Sequence, residues 1–393
     1  MLWPDVTTGQ VVGTSTDLNS LKSPPHVTKV SKVFKGILIQ DSLENYLNKI
    51  NVSICQLLLF LDISDIAKHV EKQYYTDKDW HFKYDVSAMI KFAIVKFFRQ
   101  DPYKKIILSE EEAWQLGFQE KDGTTLIPSG GTLHHFVKYR LNVDGIDKIM
   151  MMVGERIIKL IDSRDAKLDS TPLEASRYDY FSDFNPHYEC KMDKAHITMI
   201  GTYPIFMNYT DGLVGDSPQL PLHIAAMLKM NAKVNEYCLD GGYDSFENHA
   251  EIWYKLKAKP LISLPIDAVV NKEGELERLG HWANKMWKLG GSKQMTIDDM
   301  LRFLYKNGRI EQVGMYLRNQ NLKDKSFPDS YKLRKECERI HGHIKNTVKF
   351  DVRRVMEESK ELYSKFNFVV YQLLLLTNLQ NGVKDTHTFG KYI

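Results

Sequence analysis

Apolar and polar positions follow two different periods along this chain. Before residue 161 the apolar positions recur every three or four residues, which predicts amphipathic helices over residues 54–70, 86–98 and 110–116. Residues 1–35 are rich in Ser, Thr, Pro and Gly and lack a sustained apolar period. They are therefore expected to form a mobile arm, and residues 36–161 a helical N-terminal region.

Beyond Lys167 the pattern changes to short runs of β-forming residues separated by turns. Strands are predicted near 166–171, at 196–201 and 205–209 as a hairpin, and at 234–239 and 260–264, with helices at 222–230 and 246–256. The order β-β-β-α-β-α-β is typical of a mixed sheet with helices on its faces. Residues 162–265 are thus predicted to form the first part of an α/β core.

The last third of the chain combines an irregular segment with strongly helical ones. Residues 266–328 are charged, Gly-rich and aromatic, and are expected to be a partly β insertion beside the sheet. Residues 329–393 are expected to supply helices over 331–358 and 361–379 that cover the core. The apolar run 366–379 is shorter than the roughly 20 residues that cross a bilayer, so it is interpreted as a buried core helix.

Composition excludes several classes of protein. Hydrophobic residues make up 43% and charged residues 26%, as in ordinary globular proteins, and the net charge of +3 identifies no partner. The four cysteines stand singly, which argues against a zinc ribbon or a disulfide framework and favours a reducing cytoplasm. The N-terminus has no basic segment followed by an apolar core, so no secretory signal and no membrane partner are expected.

One segment has the outline of a helix-turn-helix DNA reader. A short acidic-start helix at 110–116 is followed by a Gly-bearing turn, and Ser129 or Thr132 is placed to cap a second helix. That helix would present His134, His135, Lys138 and Arg140. Ordinary helical packing is the alternative interpretation.

Three acidic residues are candidates for catalysis. Asp169 and Asp240 stand at predicted strand ends, where α/β folds build their sites, and Glu338 lies on a later helix. Three converging carboxylates repel one another unless a hard divalent cation neutralises them. Two such ions about 4 Å apart can activate a water or a 3′-hydroxyl in phosphodiester displacement. Taken singly, each Asp is more simply a turn former or a helix cap.

The helix predicted around Glu338 has further charged and polar side chains on the same face. Tyr331, Arg334, Glu338 and Lys345 are separated by three, four and seven residues. On an α-helix these spacings place the four side chains within an arc of about 60°, with Glu336 on the opposite side. Such a face would hold a metal by its carboxylate and a polyanion by its cations. A surface helix with incidental ion pairs is the alternative.

These residues resemble a known family. Tyr331-x2-Arg334-x3-Glu338-x6-Lys345 is similar to the Y-R-E-K signature of the DDE transposases related to insertion sequence four. Leu168-Asp169-Ser-Thr resembles the first-Asp segment of that family, and Leu239-Asp240-Gly-Gly its second. The resemblance covers roughly residues 40–380.

The resemblance implies a ribonuclease-H-like catalytic core in which Asp169, Asp240 and Glu338 bind two Mg²⁺ ions, with Mn²⁺ as a plausible substitute. It implies hydrolysis of double-stranded DNA at transposon ends and transfer of the freed 3′-hydroxyl to target DNA. Tyr331, Arg334 and Lys345 would contact DNA phosphates. Since two ends must be cut together, a homodimer on DNA is expected, in the nucleoid of a prokaryotic cytoplasm.

Several neighbouring residues compete for roles in the site. His341 could face the site and contact phosphate, Glu174 could replace Asp169, and Asp193 and Asp216 are alternative acids placed on predicted loops. Two pairs could touch DNA or be ordinary structural residues: Lys191 with Lys194, and Trp282 with Trp287.

Two other functions fit the same residues. One is a nuclease of the same fold that cuts DNA but does not join it, and the other is a non-catalytic DNA-binding protein derived from a transposase.

Overall fold

The computed structural model describes residues 30–34, 37–41, 53–74, 83–120, 124–264, 268–269, 278, 280–282, 285, 296–327, 331–348, 350, 357–387 and 389. Most of the expected mobile arm, residues 1–29, and also Trp287 lie outside these ranges. The chain divides into two compact units, one made of Met1–Ile161 with His343–Ile393 and the other of Asp162–Gly342.

The strands are β1 Val30–Phe34, β2 Ile37–Asp41, β3 Asp165–Glu174, β4 Asp183–Asn185, β5 Cys190–Ile200, β6 Tyr203–Asp211, β7 Glu236–Leu239 and β8 Lys259–Ile262. The helices are α1 Ile54–Leu57, α2 Ser64–Tyr74, α3 Val86–Arg99, α4 Glu110–Leu116, α5 Gly130–His135, α6 Asn142–Leu160, α7 Leu220–Lys229, α8 Phe246–Glu251, α9 Ile297–Lys306, α10 Ile310–Lys323, α11 Glu336–Val348 and α12 Glu357–Gln380. Short π-helical segments at Phe136–Leu141 and Ile252–Leu256 follow α5 and α8.

The first unit is helical and is built around α12. This helix packs on α6 and α3, and its apolar side chains from Phe366 to Leu376 are buried. The prediction of a buried core helix is therefore confirmed. Across the part of the chain that the structure describes, no helix is both long enough and apolar enough to span a membrane.

The N-terminal part of this unit differs from the expectation. Residues 30–34 were expected to belong to an arm and residues 37–41 to a helical region, but β1 and β2 pair as an antiparallel hairpin with Phe34 opposite Ile37. Both strands carry β-branched residues, which favour an extended backbone over a helix.

The expected helix-turn-helix is not formed. The first helix, α4, ends at Gly117, whose φ of +98° leaves the helical region, and α5 begins only at Gly130. The connection includes an isolated β-bridge between Gln119 and Thr125, whereas the DNA-reading motif needs a turn of about three or four residues. Ser129 does cap the second helix, accepting a hydrogen bond from the Thr132 amide at 3.1 Å.

The second unit contains the mixed sheet. Its strand order is β4-β5-β3-β7-β8, with β6 paired to β5. The β3–β7 and β7–β8 pairs are parallel and the others antiparallel. The β5–β6 hairpin turns at Gly201, where φ is +60°. The predicted order of strands and helices is confirmed, with β4 as an addition, and the fold is a ribonuclease-H-like α/β core.

The expected insertion is helical wherever the structure describes a regular element. Residues 297–323 form α9 and α10, and no strand occurs in the described part of 266–328. Thr296 forms a capping box with Asp299 at the start of α9. The buried Leu301 and Leu304 repeat at helical rather than strand spacing, which is why this part of the expected β content is wrong.

The helix expected from residue 331 to residue 358 is shorter and less regular. Lys332–Lys335 forms a 3₁₀ turn, and the α-helix α11 begins at Glu336 and ends at Val348. The 100° rotation per residue assumed for one continuous α-helix does not hold in the 3₁₀ segment, where each residue turns about 120°. Arg334 and Glu338 therefore belong to two consecutive segments.

Candidate active site

Asp169 and Asp240 lie side by side because of the register of two parallel strands. The last pair in the β3–β7 ladder is Leu168 with Leu239, and each aspartate is the next residue of its strand. Asp240 directly follows β7, as expected, but Asp169 lies in the middle of β3 rather than at its end. The strand continues because Asp169 pairs with Ile197 on the other side, in β5.

A single guanidinium connects the two carboxylates. Arg334 Nη2 lies 3.1 Å from Asp169 Oδ1 and 3.0 Å from Asp240 Oδ2. The 3₁₀ turn that carries Arg334 lies against β7. One cation is therefore shared between two carboxylates that would otherwise repel each other.

Burial dominates the electrostatics of Asp169. Its side chain is only 9% exposed, whereas that of Asp240 is 46% exposed. Burial raises the pKa of Asp169 to about 6, although the Arg334 guanidinium lowers it, and Asp240 raises it further. Cation binding would therefore compete with protonation of Asp169 as the pH falls to about 6 and below.

Tyr331 belongs to the same cluster. Burial raises the pKa of Tyr331, while hydrogen bonds that its hydroxyl oxygen accepts from Ser263 and Arg334 act in the opposite direction. Its ring stacks on Phe327 with centroids 5.8 Å apart. Tyr331 thus fixes one side of the Arg334 guanidinium.

The other residues of the signature lie further along α11. Glu338 is exposed in its first turn, His341 is buried, and Lys345 is half-buried seven residues after Glu338. Lys345 falls in the other compact unit of the chain. Among the residues that the structure describes, no three His, Cys, Asp or Glu side chains are grouped closely enough to hold a metal ion.

The donor set fits a hard divalent cation in part. Asp169 and Asp240 supply adjacent carboxylate oxygens, the ligands that Mg²⁺ prefers, and Arg334 shows that the position between them accepts positive charge. Glu338, the third carboxylate of the signature, follows Arg334 by four residues but does not complete the cluster.

An ion pair between a buried lysine and a partly exposed glutamate, beside the site, was not anticipated from the sequence. Lys167 lies on the same face of β3 as Asp169, and its Nζ contacts Glu336 Oε2 at 2.6 Å and the Gly201 carbonyl at 3.0 Å. The lysine side chain is 2% exposed. Because Glu336 opens α11, this pair fastens the start of that helix to β3. The spacing of Lys167 two residues before the first aspartate, which places both side chains on one face of a strand, was the available signal.

We expect Glu336→Ala to lower the free energy of unfolding by about 2 kcal/mol, because it leaves a buried ammonium with only a carbonyl acceptor. Urea denaturation measures the effect. Glu155→Ala is a matched control, since Glu155 forms an exposed helical pair with Lys159 and such pairs contribute little. Equal losses in the two variants would contradict an anchoring role for the Lys167–Glu336 pair.

The alternative acids have other partners or lie elsewhere. Asp216 accepts hydrogen bonds from Ser170 and Lys194, on the face of the sheet opposite Asp169. Asp193 is not on a loop as expected: it is buried in β5 and accepts from Ser182 at 3.0 Å. Glu174 is five residues along an extended strand from Asp169, roughly 16 Å away, so it cannot replace it.

The remaining DNA-binding candidates have structural contacts. Lys194 donates to the Val214 carbonyl at 3.0 Å, and Lys191 donates to the Asp179 carbonyl. Trp282 packs near Phe303, with ring centroids 6.0 Å apart. Lys138 and Arg140 are half-buried in the π-helical segment after α5 rather than on an exposed recognition helix.

Comparison with known families agrees with this geometry. A family model described as "Transposase DDE domain" matches residues 154–363, more than half of the chain, and the match includes Asp169, Asp240, Arg334 and Glu338. No curated protein and no solved structure matches the chain. The chain belongs to the family of transposase DDE domains.

Proposed function

We propose that this protein is a DNA transposase of the insertion-sequence-four-like subgroup. It would cut DNA at the ends of a mobile element and join the freed 3′-hydroxyl to target DNA. The spacing of Tyr331, Arg334, Glu338 and Lys345 supports the subgroup, because it reproduces the Y-R-E-K signature without a gap. Membership of the transposase family supports the broader activity.

The observation that carries the proposal is the pairing of Asp169 with Asp240 on one Arg334 guanidinium. Asp169 is buried, its pKa is raised, and it lies beside a second aspartate. Such an arrangement lowers the stability of the fold, so catalysis explains it better than stability does. Arg334 comes directly before the helix that bears Glu338. We propose that Glu338 joins the other two carboxylates when cations bind.

Asp169, Asp240 and Glu338 would hold two Mg²⁺ ions, with Mn²⁺ as a substitute. When bound, such ions supply Lewis-acid activation of the attacking oxygen and neutralise charge on the leaving oxygen. The chain contributes the positioning groups. Arg334 offers a planar fork and Lys345 a point charge for DNA phosphates, and the hydroxyl of Tyr331 orients the Arg334 guanidinium.

Double-stranded DNA is the proposed partner, as terminal inverted repeats and as target. Lys138 and Arg140 in the helical N-terminal region 36–161, and His341 on α11, are proposed as further DNA contacts. Both ends of an element must be cut together, so the active species is proposed to be a homodimer on DNA. It would act on nucleoid DNA in a prokaryotic cytoplasm.

A joining assay tests the proposal. The substrate is a fragment bearing the DNA that flanks the coding sequence, with its 3′-hydroxyl already exposed, incubated with supercoiled plasmid and Mg²⁺. We expect fragment–plasmid joint molecules that disappear when EDTA replaces Mg²⁺.

The two rival functions give different products in the same assay. A nuclease without joining activity yields nicked or linear DNA and no joint molecules. A non-catalytic DNA-binding protein yields neither product but still retards the end fragment in a gel. Either outcome would contradict the transposase proposal.

A further inference from the structure

The connection between β3 and β5 presents an unusual concentration of aromatic side chains, which we call the aromatic loop, residues 178–188. It exposes five aromatic residues: Tyr178 at 70%, Tyr180 at 89%, Phe181 at 49%, Phe184 at 55% and Tyr188 at 46%. Large apolar side chains scattered singly over a surface are ordinary, but such a cluster marks an interaction site.

Three polar residues of the aromatic loop are buried, whereas Asp183 and His187 are exposed. Asp179, Ser182 and Asn185 are all less than 10% exposed. Ser182 donates to Asp193 at 3.0 Å, and Asn185 donates to the Gly212 carbonyl at 3.0 Å. Burial of these three polar residues beside exposed rings departs from the usual distribution, in which large rings are covered. The buried hydrogen bonds hold the loop in a conformation that keeps its rings outward.

The rings are available as flat surfaces. Within the described part of the chain, Tyr180, Phe181 and Phe184 make no contact with another aromatic ring, while Arg177 stacks over Tyr178 at 4.6 Å. The faces of nucleobases stack on such rings without regard to sequence.

The aromatic loop is also continuous with the candidate active site. It follows directly from β3, which carries Asp169, and returns through β4 and β5, the strand that pairs with Asp169. Burial raises the pKa of the Tyr188 hydroxyl, and the charges of Asp169, Asp216 and Asp240 raise it further, so this ring lies within electrostatic reach of both catalytic candidates.

The charge of the loop indicates which part of DNA it would contact. Residues 177–191 contain two cations, Arg177 and Lys191, and three acids, and Lys191 is engaged by the Asp179 carbonyl. Duplex binding through phosphates needs an excess of cations, which this segment lacks. Stacking on bases needs none, but it requires bases that are not already stacked in a duplex.

We propose that the aromatic loop is a stacking platform for unpaired DNA bases next to the phosphodiester that is cut. The inference rests on the proposed function for its biological setting. Strand separation at a cleaved end exposes bases, and a platform beside Asp169 would hold the displaced bases while the scissile phosphate stays at the carboxylates.

The test compares binding of fluorescein-labelled oligodeoxythymidine, 15 nucleotides long, with an abasic strand of the same length, by fluorescence anisotropy in EDTA. We expect the double variant Tyr180→Ala/Phe184→Ala to bind the thymidine strand about tenfold or more weakly and the abasic strand unchanged. The slope of affinity against salt should stay the same, because no phosphate contact is lost. The double variant Tyr180→Trp/Phe184→Trp, which keeps an aromatic ring at both positions, should bind the thymidine strand like the parent.

A matched control is Leu222→Ala/Leu228→Ala, which removes two apolar side chains, each 46% exposed, from α7 in the same compact unit. The control should bind both strands like the parent. Unchanged thymidine binding in the aromatic variant, or an equal loss on the abasic strand, would overturn the inference. Light scattering gives a further test. If the parent and the control variant are dimers and the aromatic variant is a monomer, the loop is an interface with a second copy, and the inference is overturned.

Failure of this inference is separable from failure of the proposed function. Binding is measured in EDTA and does not depend on cleavage or joining. If the parent protein joins DNA ends and the aromatic variant binds the thymidine strand like the parent, only the stacking platform is refuted. A protein whose loop binds thymidine but that never joins ends would refute the transposase activity alone.

Discussion

Asparagine in place of Asp169 is expected to reduce DNA cleavage and joining by about 10³-fold or more, while binding to the end fragment is retained. An amide keeps an oxygen that can accept from Arg334 but loses the charge that a hard cation requires, and Lewis-acid activation contributes several kcal/mol to such reactions. Asp240→Asn should have a similar effect. Cleavage is measured on the end fragment with saturating Mg²⁺, and binding by gel retardation.

The matched control is Asp165→Asn, the same substitution in the first residue of β3, four positions before Asp169. It should cleave like the parent. If Asp169→Asn cleaved DNA within tenfold of the parent rate, the assignment of Asp169 as a cation ligand would be wrong. If it lost end binding together with its thermal transition, the residue would be structural.

The sheet could be predicted because local patterns determine its parts. The β5–β6 hairpin is marked by a Gly-bearing turn between two β-rich runs. The alternation of strands and helices through β8 is compatible with only a few sheet topologies. The helical form of 297–323 was missed because aromatic and Gly-rich composition hid its apolar period. The β1–β2 hairpin was missed because two five-residue strands give too short a pattern.

The site was only partly predictable for a different reason. The approach of Asp169 to Asp240 was expected from two strands that end at the same edge, but it arises where β7 ends beside the middle of β3. The contacts of Arg334 and the Lys167–Glu336 pair depend on how the segment before α11 lies on the sheet, across 165 and 169 residues of sequence. Helical spacing alone placed Glu336 on the side of the helix opposite Glu338. Tertiary packing instead brings it to Lys167, where it anchors the start of α11 to β3.

Arg334 raises a question that the Asp169 variant does not answer, namely whether its guanidinium serves the two carboxylates, a DNA phosphate or both. If cations replace it, the guanidinium is released to the phosphate. We expect Arg334→Ala to bind Mn²⁺ about tenfold more tightly, since a competing charge about 3 Å from both carboxylates is gone. We also expect about a hundredfold less joining at saturating Mg²⁺, the usual effect of losing one preorganised donor.

The two measurements together decide the role of Arg334. Calorimetric titration gives the cation affinity, and the joining assay at saturating Mg²⁺ gives the activity. Arg334→Lys keeps the charge but not the fork, so its cation affinity should stay near that of the parent while joining remains impaired. The control Arg302→Ala, which breaks a pair with Asp298 on α9, should change neither quantity. Full joining by Arg334→Ala at saturating Mg²⁺ would mean that Arg334 only balances the charge of the carboxylates, and an unchanged cation affinity would mean that cations do not displace it.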